Sequence, residues 1–132
     1  MQRTEFMPFA PSCLYDDADD LFEITNENLK HAAEFMTITF KVKKAWRKRV
    51  PAIVHIDDTA RPQLVKEEKN QLFHQLLTEY KKQTGLPLVI NTSFNAHEEP
   101  IVCHPGEAIK SLEAGMIDVL AIGNFIVKKI NE

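Results

Sequence analysis

The sequence predicts a protein of the α/β (α+β) class, with a twisted, mixed β-sheet and helices packed on it. Two observations support this class. Extended segments dominate the first half of the chain, and strands alternate with helices in the second half. A third observation is the length, because 132 residues suffice for one domain with a hydrophobic core. We therefore expect residues 1–132 to fold as a single domain.

Four extended segments are predicted in the first half. Pro8 and Pro11 disfavour a helix and favour an extended path near the start of the chain. The segment MTITFKV alternates and is rich in β-branched residues, and Ala52, Val54 and Ile56 share one face of a later segment. The expected strands are Phe9–Leu14 at the edge of the sheet, Met36–Val42, Pro51–Asp57 and Gln63–Val65.

Short helical segments and loops separate these strands. The acidic start of Asp16–Phe22 suits a helix N-terminus, whereas the polar segment Glu23–Lys30 predicts a loop or a frayed helix. The basic segment Lys43–Val50 predicts a short helix or turn. Its charges predict a solvated face or a docking face for an acidic partner.

The second half carries stronger periodic signals. Apolar residues at helical spacing predict an amphipathic helix over Lys69–Gln83, which Gly85 ends. The apolar run Leu86–Ile90 predicts a buried strand. The remaining expected elements are a helix over Ala108–Met116 and a closing hairpin of Val119–Ile122 and Phe125–Val127, joined at Gly123-Asn124.

Composition argues against several classes of function. A net charge of -3 argues against a general nucleic-acid binder, and no apolar run approaches the length of a membrane span. Cys13 and Cys103 fit neither a metal-ligand spacing nor a CxxC motif, and two reduced thiols suit the cytoplasm. His97 and His104 are isolated, so we expect no metal site in this chain.

Two polar stretches follow apolar runs and form the candidate site. The first is His55–Gln63, HIDDTARPQ, and the second is Asn91–Asn95, NTSFN. Small polar residues at the end of a buried strand are where an α/β sheet usually places a ligand. We therefore expect the two stretches to meet around one anionic ligand.

Arg61 is the residue in these stretches that is best suited to hold an anion. It precedes Pro62, which favours an extended or turn position. A guanidinium beside the hydroxyl of Thr59 can hold a phosphate or carboxylate with two parallel hydrogen bonds. The alternative is a surface arginine paired with Asp57 or Asp58.

The other polar residues also have two interpretations each. Ser93, Asn95 and nearby backbone N–H groups could cradle a phosphate oxygen or a base edge. Alternatively, these side chains cap their own backbone in an Asx-type turn. His55 could orient or protonate a ligand, or it could simply be packed and hydrogen-bonded.

Several longer motifs occur in the same order in one family: FMPFAPS (6–12), PAIVHIDDTARPQLV (51–65), FHQLL (73–77), TGLPLVINTSFN (84–95) and EPIVCHP (99–105). Over nearly its whole length the chain resembles the C-terminal part of the NodU/CmcH-type carbamoyltransferases. The resemblance implies a YrdC-like domain that follows an N-terminal sugar-kinase-like (actin-like) domain. That N-terminal domain would hold a metal ion and the acceptor substrate, and this chain would be a fragment of the longer protein.

The resemblance also implies a reaction. Enzymes of this family use ATP, with Mg²⁺, and carbamoyl phosphate to make a carbamoyl adenylate in the YrdC-like domain. The carbamoyl group then passes to a hydroxyl of a sugar, antibiotic or nodulation-factor acceptor. The implied partners are therefore carbamoyl phosphate, ATP and the N-terminal domain of the same parent chain, and a homodimer is left open.

The resemblance further assigns residues to the site. The Ser-x-Asn pair of YrdC-like nucleotide sites matches Ser93-Phe94-Asn95, and the arginine of their Lys-x-Arg pair matches Arg3. Met1 stands at the lysine position, so we expect the natural chain to continue upstream. The expected catalytic residues are Arg61 and His55, and the expected substrate- and nucleotide-binding residues are Arg3, Thr59, Arg61, Asn91, Thr92, Ser93 and Asn95.

Two positions depart from the family pattern. Asp58 stands where glycine is frequent, and His97-Glu98 stand where Arg-Gly is frequent. Asp58 adds negative charge beside the expected phosphate site and tolerates a left-handed backbone less readily than glycine. Two other functions are therefore kept as alternatives. One is a YrdC-like enzyme that adenylates threonylcarbamate for tRNA modification, and the other is a non-catalytic interaction domain with a decayed site.

Overall fold

The computed structural model describes residues 9–96 and 99–129. These residues form two compact units, a larger one of residues 9–92 and a smaller one of residues 93–96 and 99–129. Helices and strands occur in both units, which confirms the expected α/β (α+β) class. Within the described ranges the strands form three small sheets. The expectation of a single domain stays a prediction.

The larger unit combines six strands with four helices in its described part. The strands are β1 (Ala10–Leu14), β2 (Phe22–Glu23), β3 (Phe40–Val42), β4 (Thr59–Ala60), β5 (Gln63–Val65) and β6 (Leu88–Asn91). The helices are α1 (Ala18–Leu21), α2 (Asn28–Ala33), α3 (Lys44–Arg47) and α4 (Gln71–Thr84). Helices α1 and α3 confirm the helical turns expected within Asp16–Phe22 and Lys43–Val50. Strand β5 confirms the strand expected over Gln63–Val65.

Strand β1 lies at the centre of a mixed sheet whose strand order is β5-β1-β6. It pairs with β5 in parallel, with Ser12 opposite Gln63, and with β6 in antiparallel, with Ala10 opposite Asn91. Since β5 and β6 run in opposite directions, the start of β5 and the end of β6 lie at the same edge of this sheet. That edge carries the candidate site.

The expectation that Phe9–Leu14 forms an edge strand is wrong, because β1 has a neighbour on each side. Pro11 lacks an N–H group, and this lack usually confines proline to sheet edges. Pairing with β5 begins only at Ser12, one residue after Pro11, so the proline falls outside that ladder. Every residue of β1 is buried, as a central strand requires.

A second, antiparallel sheet has the strand order β2-β3-β4. Phe22 lies opposite Val42, and Phe40 lies opposite Ala60. The apolar core of the larger unit is formed by buried side chains from this sheet, from β1, β5 and β6, and from the segments between them: Cys13, Leu21, Phe22, Val42, Ile53, Leu64 and Leu88.

The expected strand over Pro51–Asp57 is wrong. Pro51–Ile53 forms a turn of 3-10 helix, which suits a proline because its fixed φ is already helical. The apparent alternation in this segment was misleading, since Ile53 is buried whereas Ile56 is fully exposed in the turn that follows. The strand in this region is β4, which begins only at Thr59.

The segment before β3 is also less extended than the sequence predicts. Of the expected strand Met36–Val42, only Phe40–Val42 is a strand, and Met36 has a left-handed backbone with φ 56°. The hydroxyl of Thr37 donates to the carbonyl oxygen of Ala32 at 2.7 Å, so these residues serve to end α2.

Helix α2 itself overlaps a segment that the sequence predicts as a loop or frayed helix. Its buried Lys30 forms ion pairs with Asp19, at 2.5 Å, and with Glu27, at 2.9 Å. Leu29 and Ala33 of α2 pack on the apolar core, but Lys30 shares the buried face, so the apolar pattern of this short helix is weak.

Helix α4 confirms the amphipathic helix expected over Lys69–Gln83. The side chain of Asn70 caps its N-terminus, and Gly85 at its C-terminus has the left-handed φ of 69° that favours glycine. Leu77 packs with Leu14 of β1 and Val65 of β5. Strand β6, which follows, is less buried than expected, because Leu88 is buried but Ile90 is 46% exposed.

The smaller unit contains a helix and a hairpin, as expected. Its elements are α5 (Pro105–Glu113), β7 (Val119–Ile122) and β8 (Phe125–Lys128), with Gly123-Asn124 at the turn. The side chain of Glu107 accepts hydrogen bonds from the backbone N–H groups of Cys103 and His104, which closes a capping box and lowers the pKa of Glu107. A small core packs α5 on β7: Ala108, Leu112 and Leu120.

Among the described residues, no helix is long and apolar enough to cross a membrane.

Candidate functional site

A hydrogen-bonded triad joins the two polar stretches at one edge of the mixed sheet. Oε1 of Gln63 accepts hydrogen bonds from Oγ of Ser12, at 2.7 Å, and from Nδ2 of Asn91, at 2.8 Å. Gln63 is the first residue of β5 and Asn91 the last residue of β6, so the sheet register brings them together. Within the larger unit, the end of the first polar stretch therefore meets the start of the second.

Sequence reasoning missed the roles of Ser12 and Gln63 in this triad. Ser12 is fully buried, and 51 positions separate it from its acceptor. No local pattern pairs two residues at such a separation. Thr92, the next residue after Asn91, is half-buried.

Arg61 lies on the short segment that leads into β5. Its side chain is exposed, and no hydrogen bond or ion pair links it to any other residue within 9–96 or 99–129. The buried Pro62 follows it and restricts the backbone conformations open to Arg61. The alternative in which Arg61 pairs with Asp57 or Asp58 is wrong, because both carboxylates bind other residues.

The His55–Thr59 turn, which comprises residues 55–59, precedes Arg61. It is closed by backbone hydrogen bonds from His55 N to Thr59 O, at 2.7 Å, and from Asp58 N to His55 O, at 2.9 Å. Asp58 has a left-handed φ of 67°, the conformation that glycine adopts most readily. The turn is therefore tight, and it carries a strained aspartate.

The carboxylate of Asp57 accepts hydrogen bonds from both donors of Thr59. Its Oδ1 accepts from Thr59 Oγ1, at 2.7 Å, and from Thr59 N, at 3.1 Å. The hydroxyl hydrogen bond is the main cause that holds the pKa of Asp57 below its ordinary value. Thr59 therefore has no proton left to donate to an anion while this turn is formed.

His55 is oriented by the same threonine. Its Nδ1 lies 3.2 Å from Thr59 Oγ1. Since the single hydroxyl proton of Thr59 goes to the Asp57 carboxylate, the hydroxyl oxygen must accept, and Nδ1 of His55 must carry the donated proton. The chain of donors runs from His55 through Thr59 to Asp57, and it leaves Nε2 of His55 for other contacts.

Arg47 anchors the turn from helix α3. Its Nη1 lies 2.5 Å from Oδ2 of Asp58, and its Nε donates to the carbonyl oxygen of Val42 at 2.7 Å. The basic segment Lys43–Val50 predicted a solvated or docking face, and Arg47 departs from this expectation. Its side chain is 27% exposed and bonded within the larger unit.

Ser93 and Asn95 belong to the smaller unit. Oγ of Ser93 donates to Oδ1 of Asn95, and Nδ2 of Asn95 donates to the carbonyl oxygens of Ala96, at 2.9 Å, and Glu99, at 3.1 Å. The bonds of Asn95 to backbone carbonyls are local, as the sequence left open as an alternative, whereas this bond of Ser93 goes to the Asn95 side chain. The role of both residues in binding a ligand stays a prediction.

Two expectations lie outside what the structure describes or tests. Arg3, His97 and Glu98 are outside the described residues. Within residues 9–96 and 99–129, no group of three or more His, Cys, Asp and Glu side chains is arranged to hold a metal ion.

Comparison with known proteins places the chain in a family. The profile described as Carbamoyltransferase C-terminus matches residues 1–129. An uncharacterised protein of Methanocaldococcus jannaschii is 40% identical over 130 residues, which are 98% of this chain and 24% of that protein. Nodulation protein NolO of Bradyrhizobium diazoefficiens is 37% identical over 128 residues, 97% of this chain and 23% of that protein.

Nodulation protein U of Azorhizobium caulinodans is 42% identical over 95 residues, 72% of this chain and 16% of that protein. This chain thus spans about a quarter or less of the length of these three relatives. The profile covers all of the residues that carry the resemblance seen in the sequence, and the chain belongs to the carbamoyltransferase C-terminus family.

Proposed function

We propose that this chain is the part of an O-carbamoyltransferase that binds ATP and carbamoyl phosphate and forms carbamoyl adenylate. The carbamoyl group then passes to a hydroxyl acceptor in an N-terminal actin-like domain of the same parent protein, which holds a metal ion. Membership of the carbamoyltransferase C-terminus family supports the transferase class. Residues at the edge of the mixed sheet support the finer chemistry.

The observation that carries the proposal is the exposed guanidinium of Arg61. It has no hydrogen-bond or ion-pair partner in the described part of the chain, so its N–H donors are available to a ligand. Carbamoyl phosphate and ATP both present phosphate oxygens, which a planar guanidinium binds with two parallel hydrogen bonds. A fixed positive charge also stabilises the negative charge that develops during transfer at phosphorus.

His55 is the second group that the proposal uses. Its Nδ1 is engaged with Thr59, so the ring is held and the proposal assigns Nε2 to the ligand. A protonated imidazole donates to a phosphate oxygen, and a neutral one accepts a proton from a reacting group. In this proposal Thr59 orients His55 and does not itself bind phosphate, because Asp57 takes its hydroxyl proton.

The remaining expected site residues take part in nucleotide binding in this proposal. Asn91 and Thr92 lie at the sheet edge where β5 begins, and Asn91 is held there by Gln63. Ser93, Asn95 and Arg3 are carried over from the family resemblance. The Mg²⁺ ion arrives with the phosphates of ATP, and the two free cysteines fit a reducing compartment such as the cytoplasm.

Calorimetric titration of the full-length protein tests the proposal. Carbamoyl phosphate and then ATP with Mg²⁺ are titrated into the unaltered protein and into Arg61→Ala. We expect Arg61→Ala to weaken carbamoyl phosphate binding by about ten- to hundredfold, because hydrogen bonds to charged groups are worth roughly 1.5–3 kcal/mol.

The matched control is Lys48→Ala. Lys48 is an exposed cation beyond the end of α3, so its removal changes the net charge equally without touching the sheet edge. We expect this variant to bind as the unaltered protein does. Equal affinity of Arg61→Ala and Lys48→Ala for carbamoyl phosphate would refute the proposed site.

A further inference from the structure

The ion pair between Arg47 and Asp58 lies at the turn that precedes the proposed anion site. The geometry points to Arg47 as a positioning residue for that site. Arg47 holds the His55–Thr59 turn and neutralises Asp58, which leaves Arg61 free for a phosphate. This inference rests on the proposed function, because it concerns the same site.

Arg47 makes several contacts that tie this turn to its surroundings. Nη1 lies 2.5 Å from Oδ2 of Asp58, and Nε donates to Val42 O at 2.7 Å. Val42 N donates in turn to Asp58 O at 2.8 Å, so side chain and backbone of Asp58 are both held at the end of β3. Glu23 is a weaker neighbour, since its Oε1 lies 3.9 Å from Nη2 of Arg47.

Asp58 needs such an anchor for a conformational reason. Its φ of 67° lies in the left-handed region, where a side chain with a Cβ atom is strained. The ion pair with Arg47 offsets that strain and keeps the turn closed. Glycine at this position would adopt the same φ without an anchor.

Asp58 also needs a counter-charge for an electrostatic reason. It is three positions from Arg61, and an unpaired carboxylate there would repel a phosphate and compete for the guanidinium. Asp57, the other carboxylate of the turn, is already bound to Thr59. Arg47 is therefore the cation that prevents Asp58 from occupying or repelling the anion site.

The test is a double-variant cycle on the full-length protein, read out as the dissociation constant of carbamoyl phosphate. The variants are Arg47→Met, Asp58→Gly and the combination of the two. Methionine keeps an unbranched apolar stem in place of the partly buried arginine stem. Lys48→Met is the matched control, since Lys48 is exposed and close in the chain. Thermal unfolding of each variant checks that it is folded at the titration temperature.

We expect Arg47→Met to weaken binding by roughly tenfold, because it leaves the Asp58 carboxylate without its counter-charge and solvent partly screens the resulting repulsion. We expect Asp58→Gly to bind as tightly as the unaltered protein or more tightly. We expect the dissociation constant of the combined variant to lie within about threefold of that of the unaltered protein. The Asp58 carboxylate is then absent, and glycine adopts the left-handed φ of the turn without the ion pair.

Three results would overturn the inference. The first is that Arg47→Met binds carbamoyl phosphate as tightly as Lys48→Met does. The second is that the combined variant binds it as weakly as Arg47→Met. The third is that Asp58→Gly alone weakens binding. The Asp58→Gly arm decides the question even where an Arg47 variant fails to fold. If the unaltered protein does not bind carbamoyl phosphate, the proposed site itself fails, and this inference fails with it.

Discussion

Nδ2 of Asn91 and Oε1 of Gln63 lie 2.8 Å apart and form a hydrogen bond between residues 28 positions apart in the chain. The same oxygen accepts from the buried hydroxyl of Ser12 in the central strand. One glutamine side chain therefore connects all three strands of the mixed sheet. Within the larger unit it also holds Asn91, the first residue of the second polar stretch, beside Gln63, the last residue of the first.

Gln63→Leu removes this shared acceptor. We expect the free energy of unfolding to fall by about 1–3 kcal/mol, because the fully buried Ser12 hydroxyl and the Asn91 amide lose their partner. Urea denaturation measures the change. Gln75→Leu on the exposed face of α4 is the matched control, and it should change stability by no more than about 0.5 kcal/mol. Equal stability of the two variants would show that the triad contributes nothing.

Thr59→Val should raise the pKa of Asp57 toward its ordinary value, because the hydroxyl of Thr59 is the main cause that lowers it. In the folded protein this pKa is depressed. The interaction therefore stabilises the fold at pH values above the ordinary carboxyl pKa, and this contribution is lost as the pH falls through the lowered pKa. Carboxyl ¹³C NMR titration measures both values.

Thr25→Val serves as the control for that titration, because Thr25 is exposed and distant from the turn in the chain. The Asp57 carboxyl should titrate identically in this variant and in the unaltered protein. An Asp57 pKa that does not respond to Thr59→Val would contradict the hydrogen bond from the Thr59 hydroxyl to Asp57.

The two cysteines should differ sharply in reactivity. Cys13 is fully buried in β1, and burial together with the charge of Asp17 raises the pKa of its thiol. Cys103 is exposed. Iodoacetamide at neutral pH should therefore alkylate Cys103 in the native protein and Cys13 only in denaturant, because the thiolate is the reacting form.

Peptide mass spectrometry identifies the alkylated residue, and Cys103→Ser should leave residues 1–132 unlabelled under native conditions. Native labelling of Cys13 at the rate of Cys103 would mean that β1 is not buried as described.

Local patterns predicted those elements whose residues are neighbours in the chain. Helix α4 has an apolar stripe and a terminal Gly85, and the β7–β8 hairpin has a Gly123-Asn124 turn. Where tertiary contacts replaced local signals, the predictions failed. The sequence leaves a loop or a frayed helix open for Glu23–Lys30, where α2 begins, and the edge position expected for β1 is wrong because Pro11 lies just before the ladder with β5.

By itself, the sequence determined the α/β class, the family motifs and the two polar stretches, because each of these depends on residues that are close together in the chain. Only the tertiary structure decided which polar residues are free. Arg61 is exposed, whereas Asp58 forms an ion pair with Arg47. Thr59 is hydrogen-bonded to Asp57, and Asn91 is hydrogen-bonded to Gln63. The physical reason is that a side chain's availability depends on its competing partners. Sheet register and turn geometry bring those partners together across separations that no local pattern encodes.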